Sequence, residues 1–428
     1  MKYIISTLGC KVNQYETQAM ETMLRERGHE SCTDGELADA VIVNTCAVTA
    51  ESGRKSRQLI RRLRDANPGA VIAVCGCYSQ LEPAAVEELG AAVVFGSADR
   101  RAFVDAIEKA VLDGETAKEI DKPFERRVFE TLPAGAVSGR TRAMLKIQDG
   151  CVNFCTYCII PYTRGRLRSL PLKDAAAETA RLAAEGYREI VLTGIEVASY
   201  GFDLPGRPGL AELIRTVADA AGEMRIRLGS LEPTVITEDF CRTVKETGKL
   251  CRHFHLSLQS GCDRTLKAMN RKYDTAFFFD TTERLRSYFP GCALTADLIT
   301  GFPGETEEDH SETLRFIERC GFADMHIFPY SRRPGTPADR MPDQCTAALK
   351  SRRAAEAQAV AARMRANYLE SCVGSTLPVL FESGDGSGSV GHSDNYILVR
   401  VPQEGLHSRL LDVEIIGVDG AELRGRLI

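Results

Sequence analysis

No apolar run in the chain approaches the eighteen or so residues that cross a bilayer, which argues against a membrane span. No excess of positive charge is present either: the formal net charge is -5. Attraction to nucleic acid over the whole surface is thereby excluded, although a local basic patch can still hold phosphates. The 15 cysteines in 428 residues form no even framework of the kind that staples a small secreted domain. Reduced cytosolic thiols are the better reading, and a cytoplasmic location is expected. The opening MKYIISTLGC is too short for a secretory segment and is expected to be a first strand. What is present, 44% hydrophobic and 26% charged residues, is the make-up of a globular protein long enough for two or three domains.

The most informative stretch is GCVNFCTYCIIPYTRGR, where Cys151, Cys155 and Cys158 form a C-x3-C-x2-C run. Three thiolates on one short loop can ligate three irons of a cubane cluster and leave the fourth iron open to a chelating small molecule. A zinc site normally takes four ligands, often as two Cys pairs, and no second CxxC pair follows. Three ordinary cysteines close together, or a partial zinc site, is the plainer alternative.

Residues 1 to 120 alternate short β-branched runs (KYIIST, DAVIVNT, AVIAVC, AVVFGS) with amphipathic segments such as 15–27 and 53–65. That order predicts an α/β domain with a parallel sheet, flavodoxin-like. Cys10, Cys46 and Cys77 each lie at or just beyond the carboxyl end of a strand, the edge on which such sheets form ligand crevices. Three adjacent loops are close enough to surround one cluster, against the alternative of buried strand-end thiols. Cys75 is expected to end the buried strand, with Gly76 letting the backbone turn so that Cys77 points out. After Cys46, Arg54, Arg57, Arg61 and Arg64 follow helical spacing, with Lys55 and Arg62 beside them and only Glu51 to offset them. We read this face as phosphate-binding rather than merely solvated. Residues 121–140 carry prolines, glycines and no period, as a linker does.

From 141 to about 340, six strand and helix units predict a partial (β/α)6 barrel whose site lies at the strand carboxyl ends. Thr193, Gly194 and Glu196 end its second strand, Glu232 follows the third, and Gln259, Ser260 and Gly261 end the fourth. Asp297 and Gly301 belong to the fifth and Tyr330 to the sixth. Singly, each reads equally well as a cap or turn residue. A long helix over 343–371 then leads to short strands at 375–428, a small antiparallel β-barrel.

The Cys151 loop resembles the signature of the radical S-adenosylmethionine (SAM) superfamily, and Tyr157 fits its pattern. TLGCKVNQYE, VNTCAVTAESGRKSRQLIRRL and CGCYSQ resemble, in order, the three cysteine motifs of the methylthiotransferase N-terminal domain, with Asn13 and Asn44 at motif positions. LSLQSG and DLITGFPGET resemble the family's SAM-binding strand ends; GHSDNYILVRV and ELRGR resemble its TRAM RNA-binding domain. The resemblance implies an N-terminal auxiliary-cluster domain (1–120), a linker (121–140), a radical SAM core with trailing helix (141–370) and a TRAM domain (371–428). It also implies two 4Fe-4S clusters, on Cys151, Cys155 and Cys158 and on Cys10, Cys46 and Cys77, with SAM as cosubstrate.

TLGCKVNQYET is most similar to the branch that acts on threonylcarbamoyladenosine at tRNA position 37, in the anticodon loop. The absence of the membrane tail seen on animal relatives fits the bacterial-type form. As the resemblance implies, one SAM methylates sulfur associated with the auxiliary cluster, and a second yields the radical that attacks an unactivated ring carbon. The partners implied are the tRNA anticodon stem-loop, a flavodoxin or ferredoxin and a sulfur source. Isopentenylated tRNA or a ribosomal-protein aspartate is the alternative substrate. A non-catalytic iron-sulfur protein that binds RNA or senses redox state is the alternative class.

Overall fold

The computed structural model describes residues 1–33, 35–133 and 141–428; the end of the expected linker, 134–140, lies outside the described residues. The chain divides into two compact units. The first comprises Met1–Ser138, Met144–Leu170 and Ser331–Asp339, and the second comprises Gly139–Ala143, Pro171–Tyr330 and Arg340–Ile428.

In the first unit, β1 (Lys2–Thr7), α1 (Lys11–Glu26), β2 (Glu30–Ser31), β3 (Ala40–Thr45), α2 (Ala50–Ala66) and β4 (Val71–Gly76) follow one another. Then come α3 (Cys77–Leu81), α4 (Pro83–Glu87), β5 (Val93–Phe95), α5 (Arg100–Asp113) and β6 (Ala117–Glu119). The sheet is parallel with order β2-β1-β3-β4-β5-β6, the flavodoxin-like order with one strand added. β3 is central and buried at all six positions, which is why it reads as an unbroken apolar run. β2 and β6 escape a reading of the sequence because they are two and three residues long, lie at the edges and are largely polar.

Helix α2 begins before the expected 53 because Thr49 and Ser52 form a reciprocal capping box. Between β6 and the undescribed residues the chain is mostly exposed, as a linker is, but Phe129 and Leu132 are buried, and the Leu132 carbonyl accepts from Tyr15 Oη at 2.6 Å. The unit is completed by most of β7 (Arg142–Asp149), then α6 (Ile160–Arg164), and β8 (Arg168–Ser169), which pairs antiparallel with the end of β7.

In the second unit, α7 (Leu172–Ala184), β9 (Glu189–Gly194), α8 (Leu210–Ala220), β10 (Arg225–Leu228), β11 (Ser230–Leu231), α9 (Glu238–Glu246) and β12 (His253–Gln259) come in order. They are followed by α10 (Asp263–Ala268), α11 (Thr275–Tyr288), β13 (Ala293–Thr300), α12 (Glu307–Cys320), β14 (Asp324–Pro329) and α13 (Ala347–Ser371). β9 and β10 pair in parallel, and β11-β12-β13-β14 form a second parallel sheet. The single strand expected over RIRLGSL is split at Gly229 into β10 and β11, which join different sheets. Along β12 and β13, every second residue from His255 and Thr295 is only half-buried while its neighbours are buried, so the half-buried set shares one face of the sheet.

Helix α13 starts at Ala347, not 343, because the Thr346 side chain caps Leu349 N–H and Asp343 has a φ of 55° outside the helical region. The last strands, β15 (Thr376–Gly384), β16 (Ser389–Ser393), β17 (Leu398–Val401), β18 (Leu410–Asp419) and β19 (Glu422–Leu427), close into a barrel of order β15-β16-β17-β19-β18. It is not wholly antiparallel, since β17 and β19 pair in parallel to close it. No helix among the described residues is long and apolar enough to cross a membrane.

Candidate metal centres

Three cysteines of the first unit emerge from neighbouring strands. Cys10 caps the amino end of α1 just beyond β1, Cys46 follows β3 directly, and Cys77 opens α3 directly after β4. Gly76 makes the last turn possible: its φ is 107°, and a Cβ there would lie 2.4 Å from the Thr45 carbonyl oxygen. Cys75 stays in the core at 0% exposure, and burial pushes its thiol up to about 12. Cys77, expected to point out, is itself only 3% exposed and packs in the apolar cluster with Val74 and Tyr78; what separates it from Cys75 is its contact with an arginine.

One side chain senses all three emergent thiols. Arg164, wholly buried at the end of α6, places Nε 3.4 Å from Cys77 Sγ, and its charge also favours the thiolates of Cys10 and Cys46. Cys46 is buried and Cys10 exposed; desolvation by the surrounding protein is the larger influence on both and raises both thiols. The three thiols repel one another as charges, Cys77 acting on both of the others and Cys46 on Cys10, as groups sharing one site must. Asn13 joins this arrangement: its Oδ1 lies 3.4 Å from Cys10 Sγ and accepts from Arg164 Nη2 at 3.4 Å. Asn13 Nδ2 donates to Asn44 Oδ1 at 3.1 Å and to the Thr45 carbonyl at 3.0 Å, which ties the Cys10 and Cys46 loops together.

Arg164 is anchored by Glu16, which pairs with both of its terminal nitrogens, and by Asp149 Oδ2 at 3.4 Å. Burial alone would lower its pKa, but Cys77, Glu16 and Asp149 hold it well above the usual arginine value. Arg100 and Lys146 also pair with Glu16, while Lys146 and Arg168 pair with Asp149. Four buried cations therefore share two buried carboxylates. Such an excess is costly in a low-dielectric interior and calls for further negative charge, which thiolates would supply.

The second triad lies in the same unit. Gly150, with φ of 77°, turns the chain out of β7; a Cβ on it would sit 1.9 Å from the Arg166 carbonyl oxygen. Cys151 N–H then donates to the Gly165 carbonyl at 3.0 Å, and Cys158 N–H to the Cys155 carbonyl at 2.9 Å, which folds the eight-residue loop back on itself. Cys155 is buried, and Cys151 and Cys158 are half-buried. Ile159, next to Cys158, belongs to the same apolar cluster as Cys77, Tyr78 and Val74. The two cysteine loops are therefore neighbours in one folded unit. By number and type of donor, both triads fit an iron-sulfur cluster with one iron unligated by protein.

The other residues singled out from the sequence are more scattered. On α2, Arg54, Lys55, Arg61 and Arg62 are exposed, whereas Arg57 and Arg64 are partly covered, Arg64 also pairing with Asp65 at 2.8 Å. Arg57 Nη1 donates to Tyr78 Oη at 2.9 Å, and Arg64 Nη1 to the Leu89 carbonyl at 3.1 Å. Glu51 takes up Arg54, and neither Arg61 nor Arg62 has an acidic partner among the described residues. In the second unit, Glu196 accepts from Ala198 N–H and Ser199 Oγ, and Glu232 pairs with Arg271. Burial raises the Glu232 carboxyl above its usual range against the pull of Arg271, and Glu196 adds to the rise.

Thr193 and Ser260 are buried, Gly194 is half-buried, and Gln259 has a φ of 68° at a register shift in β12. Tyr330 is 3% exposed, packed edge-on against Phe302 at 5.4 Å between ring centres, a core position. Tyr157 is half-buried on the second cysteine loop. Asp297 accepts from His255 Nε2 at 3.2 Å and His326 Nδ1 at 3.3 Å, and His255 Nδ1 meets Thr295 Oγ1 at 2.8 Å. The ligand atoms of His255, Asp297 and His326 lie within 4.8 Å of one another, and these mutual bonds give the cluster a structural account. Sequence reasoning missed Arg164, Glu16 and Asp149, whose only signal was that they are charged within otherwise apolar or cysteine-bearing segments.

Two sequence families match the chain: the Radical SAM superfamily over residues 145–317, and Uncharacterized protein family UPF0004 over residues 2–96. A Bacillus subtilis (strain 168) protein named Threonylcarbamoyladenosine tRNA methylthiotransferase MtaB is 39% identical over 92% of this chain and 88% of its own length. A Thermotoga maritima protein of the same name is 38% identical over 92% of this chain and 89% of its own length. The chain belongs to the radical SAM methylthiotransferase family.

It is accordingly an enzyme, a transferase whose family works with SAM and 4Fe-4S clusters. A Clostridium tetani relative named tRNA-2-methylthio-N(6)-dimethylallyladenosine synthase is 37% identical over 80% of this chain and 77% of its own length. Among solved structures, the radical SAM methyltransferase TsrM from Kitasatospora setae, with cobalamin and a [4Fe-4S] cluster bound, superposes with a TM-score of 0.59. It is 16% identical, over 79% of this chain and 77% of that one, and the likeness is one of fold.

Proposed function

We propose that this methylthiotransferase places a methylthio group on carbon 2 of threonylcarbamoyladenosine at position 37 of tRNA. Support comes from the relatives bearing that name, which match more of the chain than the Clostridium tetani dimethylallyladenosine synthase. The observation that carries the chemistry is the convergence of Cys10, Cys46 and Cys77 around the single guanidinium of Arg164, beside a second triad of thiols.

On this reading Cys151, Cys155 and Cys158 hold the cluster that binds SAM, and Cys10, Cys46 and Cys77 hold the second cluster. When bound, these groups supply one-electron cleavage of SAM and the sulfur to be transferred, chemistry that no side-chain base offers at an unactivated C–H carbon. Arg164 and Asn13 orient the thiols of the second triad and compensate their charge. The residues we assign to SAM binding are Tyr157 in the first unit and, in the second, the strand-end residues Thr193, Gly194, Glu196, Glu232, Gln259, Ser260, Asp297 and Tyr330. Arg54, Lys55, Arg61 and Arg62 on α2, together with the C-terminal barrel (371–428) as a TRAM module, hold RNA phosphates of the anticodon stem-loop. A flavodoxin or ferredoxin supplies low-potential electrons in the cytoplasm, and a separate donor replenishes sulfur.

The test is mass spectrometry of tRNA nucleosides from cells lacking the gene. Loss of the methylthio-threonylcarbamoyl form is expected. Its persistence, with loss of the methylthio-isopentenyl form instead, would reassign the substrate. Purified protein with both clusters verified should also release 5′-deoxyadenosine from SAM and dithionite under anaerobic conditions.

A further inference from the structure

A second buried arginine lies near the first triad. Arg333 belongs to Ser331–Asp339, the one segment from beyond the barrel strands that joins the first unit. The segment is tied down at two points. Ser331 Oγ accepts from Ala50 N–H at 3.0 Å, at the start of the helix that follows Cys46, and Ala338 N–H donates to the Thr156 carbonyl at 2.8 Å, inside the second cysteine loop. Arg333 sits between these anchors, near α2 and Tyr78: a Cβ on Gly53 would come within 3.9 Å of Arg333 Nη1 and 3.3 Å of the Tyr78 ring.

The residue is 9% exposed, its Nε has no hydrogen-bond partner, and its side chain makes no ion pair or hydrogen bond among the described residues. Arg164 in the same unit is, by contrast, fully engaged with Glu16, Asp149, Asn13 and Cys77. Burial drags the Arg333 pKa down, and the strongest influence in the other direction comes from Cys46. A buried, unpartnered guanidinium nitrogen is costly, and a cation without an acid beside two cysteine loops is suited to an anion held there.

We propose that Arg333 is the counter-charge for anionic sulfur at the Cys10–Cys46–Cys77 site, a positioning residue that compensates thiolate and ligand charge from the Cys46 side while Arg164 does so from the Cys77 side. The inference rests on the reading that these three cysteines hold the second cluster. A phosphate of bound RNA is the less favoured partner, because the segment carrying Arg333 is anchored at the start of the helix after Cys46 and inside the second cysteine loop.

The experiment uses the full-length protein with Cys151, Cys155 and Cys158 replaced by alanine, so that only the second site is loaded. Arg333→Met and Arg333→Lys are made in that background and compared with it. Iron and sulfide content, midpoint potential, and the binding of hydrosulfide or methanethiolate followed by electron paramagnetic resonance are measured. Arg333→Met is expected to keep about four irons, to shift the midpoint potential downward, and to bind either sulfur anion about tenfold or more weakly, the scale of one charge-assisted hydrogen bond. Arg333→Lys should restore much of both. Loss of iron by the methionine variant alone would also support a charge role.

Unchanged potential and sulfur affinity in Arg333→Met, or loss of iron by both variants, would overturn the proposal. So would weaker binding of an anticodon stem-loop RNA with sulfur affinity intact, which would reassign Arg333 to phosphate. Absence of iron from the parent background would instead remove the reading of the second cluster itself.

Discussion

Cys75 and Cys77 stand two residues apart, and the structure gives them opposite fates. One faces the core with a thiol pushed up to about 12, and the other opens a helix within 3.4 Å of the Arg164 guanidinium. Burial outweighs the pull of Arg100 and Arg164 on the Cys75 thiol and leaves it protonated and inert, whereas Cys77 is in direct contact with a cation. The expected outcome is sharp. Cys75→Ala should leave about eight irons per reconstituted chain, whereas replacing Cys10, Cys46 and Cys77 together, or Cys151, Cys155 and Cys158 together, should leave about four. Iron and sulfide quantification checks all three. If the protein lacking Cys10, Cys46 and Cys77 kept the full complement, the assignment of those three cysteines would end. The positions of these six cysteines were legible because each follows an apolar run or a tight motif. Arg164, Glu16 and Arg333 were not, because nothing local distinguishes a charged side chain that will be buried from one that will be solvated.

Helix α2 shows what helical spacing can and cannot tell. Periodicity placed Arg54, Arg57, Arg61 and Arg64 on one stripe, but Arg57 is engaged by Tyr78 and Arg64 by the Leu89 carbonyl and Asp65. The exposed basic surface is made by Arg54, Lys55, Arg61 and Arg62 instead. Exposed cations without acidic partners release counterions when they meet phosphate, and removing one such cation lowers the salt slope by about one. Arg61→Glu with Arg62→Glu should therefore weaken binding of a tRNA anticodon stem-loop and reduce its salt slope by roughly two, with both clusters intact. Fluorescence titration over a range of salt concentrations measures this, and an unchanged slope would return α2 to the role of a solvated helix.

Over the whole chain, each unit is built about a buried glutamate clamped by arginines. In the first unit it is Glu16; in the second, Glu189 binds Arg225 Nε at 2.6 Å and Arg227 Nε at 2.8 Å. The remaining nitrogens of those arginines reach carbonyls of the C-terminal barrel: Pro378 and His392 from Arg225, Ser393 and Asp394 from Arg227. Tyr396 fills the junction, stacked between His253 and His392 with Arg227 4.7 Å above its ring. Glu189 thus orients two arginines that tie the small barrel to β10, beside the Arg142–Glu382 and Arg252–Asp394 pairs.

Burial would raise the Glu189 carboxyl, but Arg227 and Arg225 hold it well below its usual 4.5. Its stabilisation is present above that value and is lost as the pH falls below it toward the folded pKa. Glu189→Gln should cost about 3–5 kcal/mol in denaturant unfolding at neutral pH, since two buried cations lose their partner. It should also flatten the fall in stability on acidification below about pH 4.5. Equal stability at pH 7 would show that the clamp is dispensable.

The sequence by itself determined the alternation of strands and helices, the two cysteine triads, and the succession of sheet domain, barrel and small closed barrel. Those features are written in local periodicity and in short motifs. It could not determine that RIRLGSL would break at Gly229, that two polar edge strands would extend the first sheet, or that Ser331–Asp339 would join the first unit. Only the tertiary structure decided which charged side chains would be buried and against what. The energy of a buried charge depends on partners brought from remote parts of the chain, and the clearest case is Arg333, which feels Cys46 and Glu82 but makes no ion pair among the described residues.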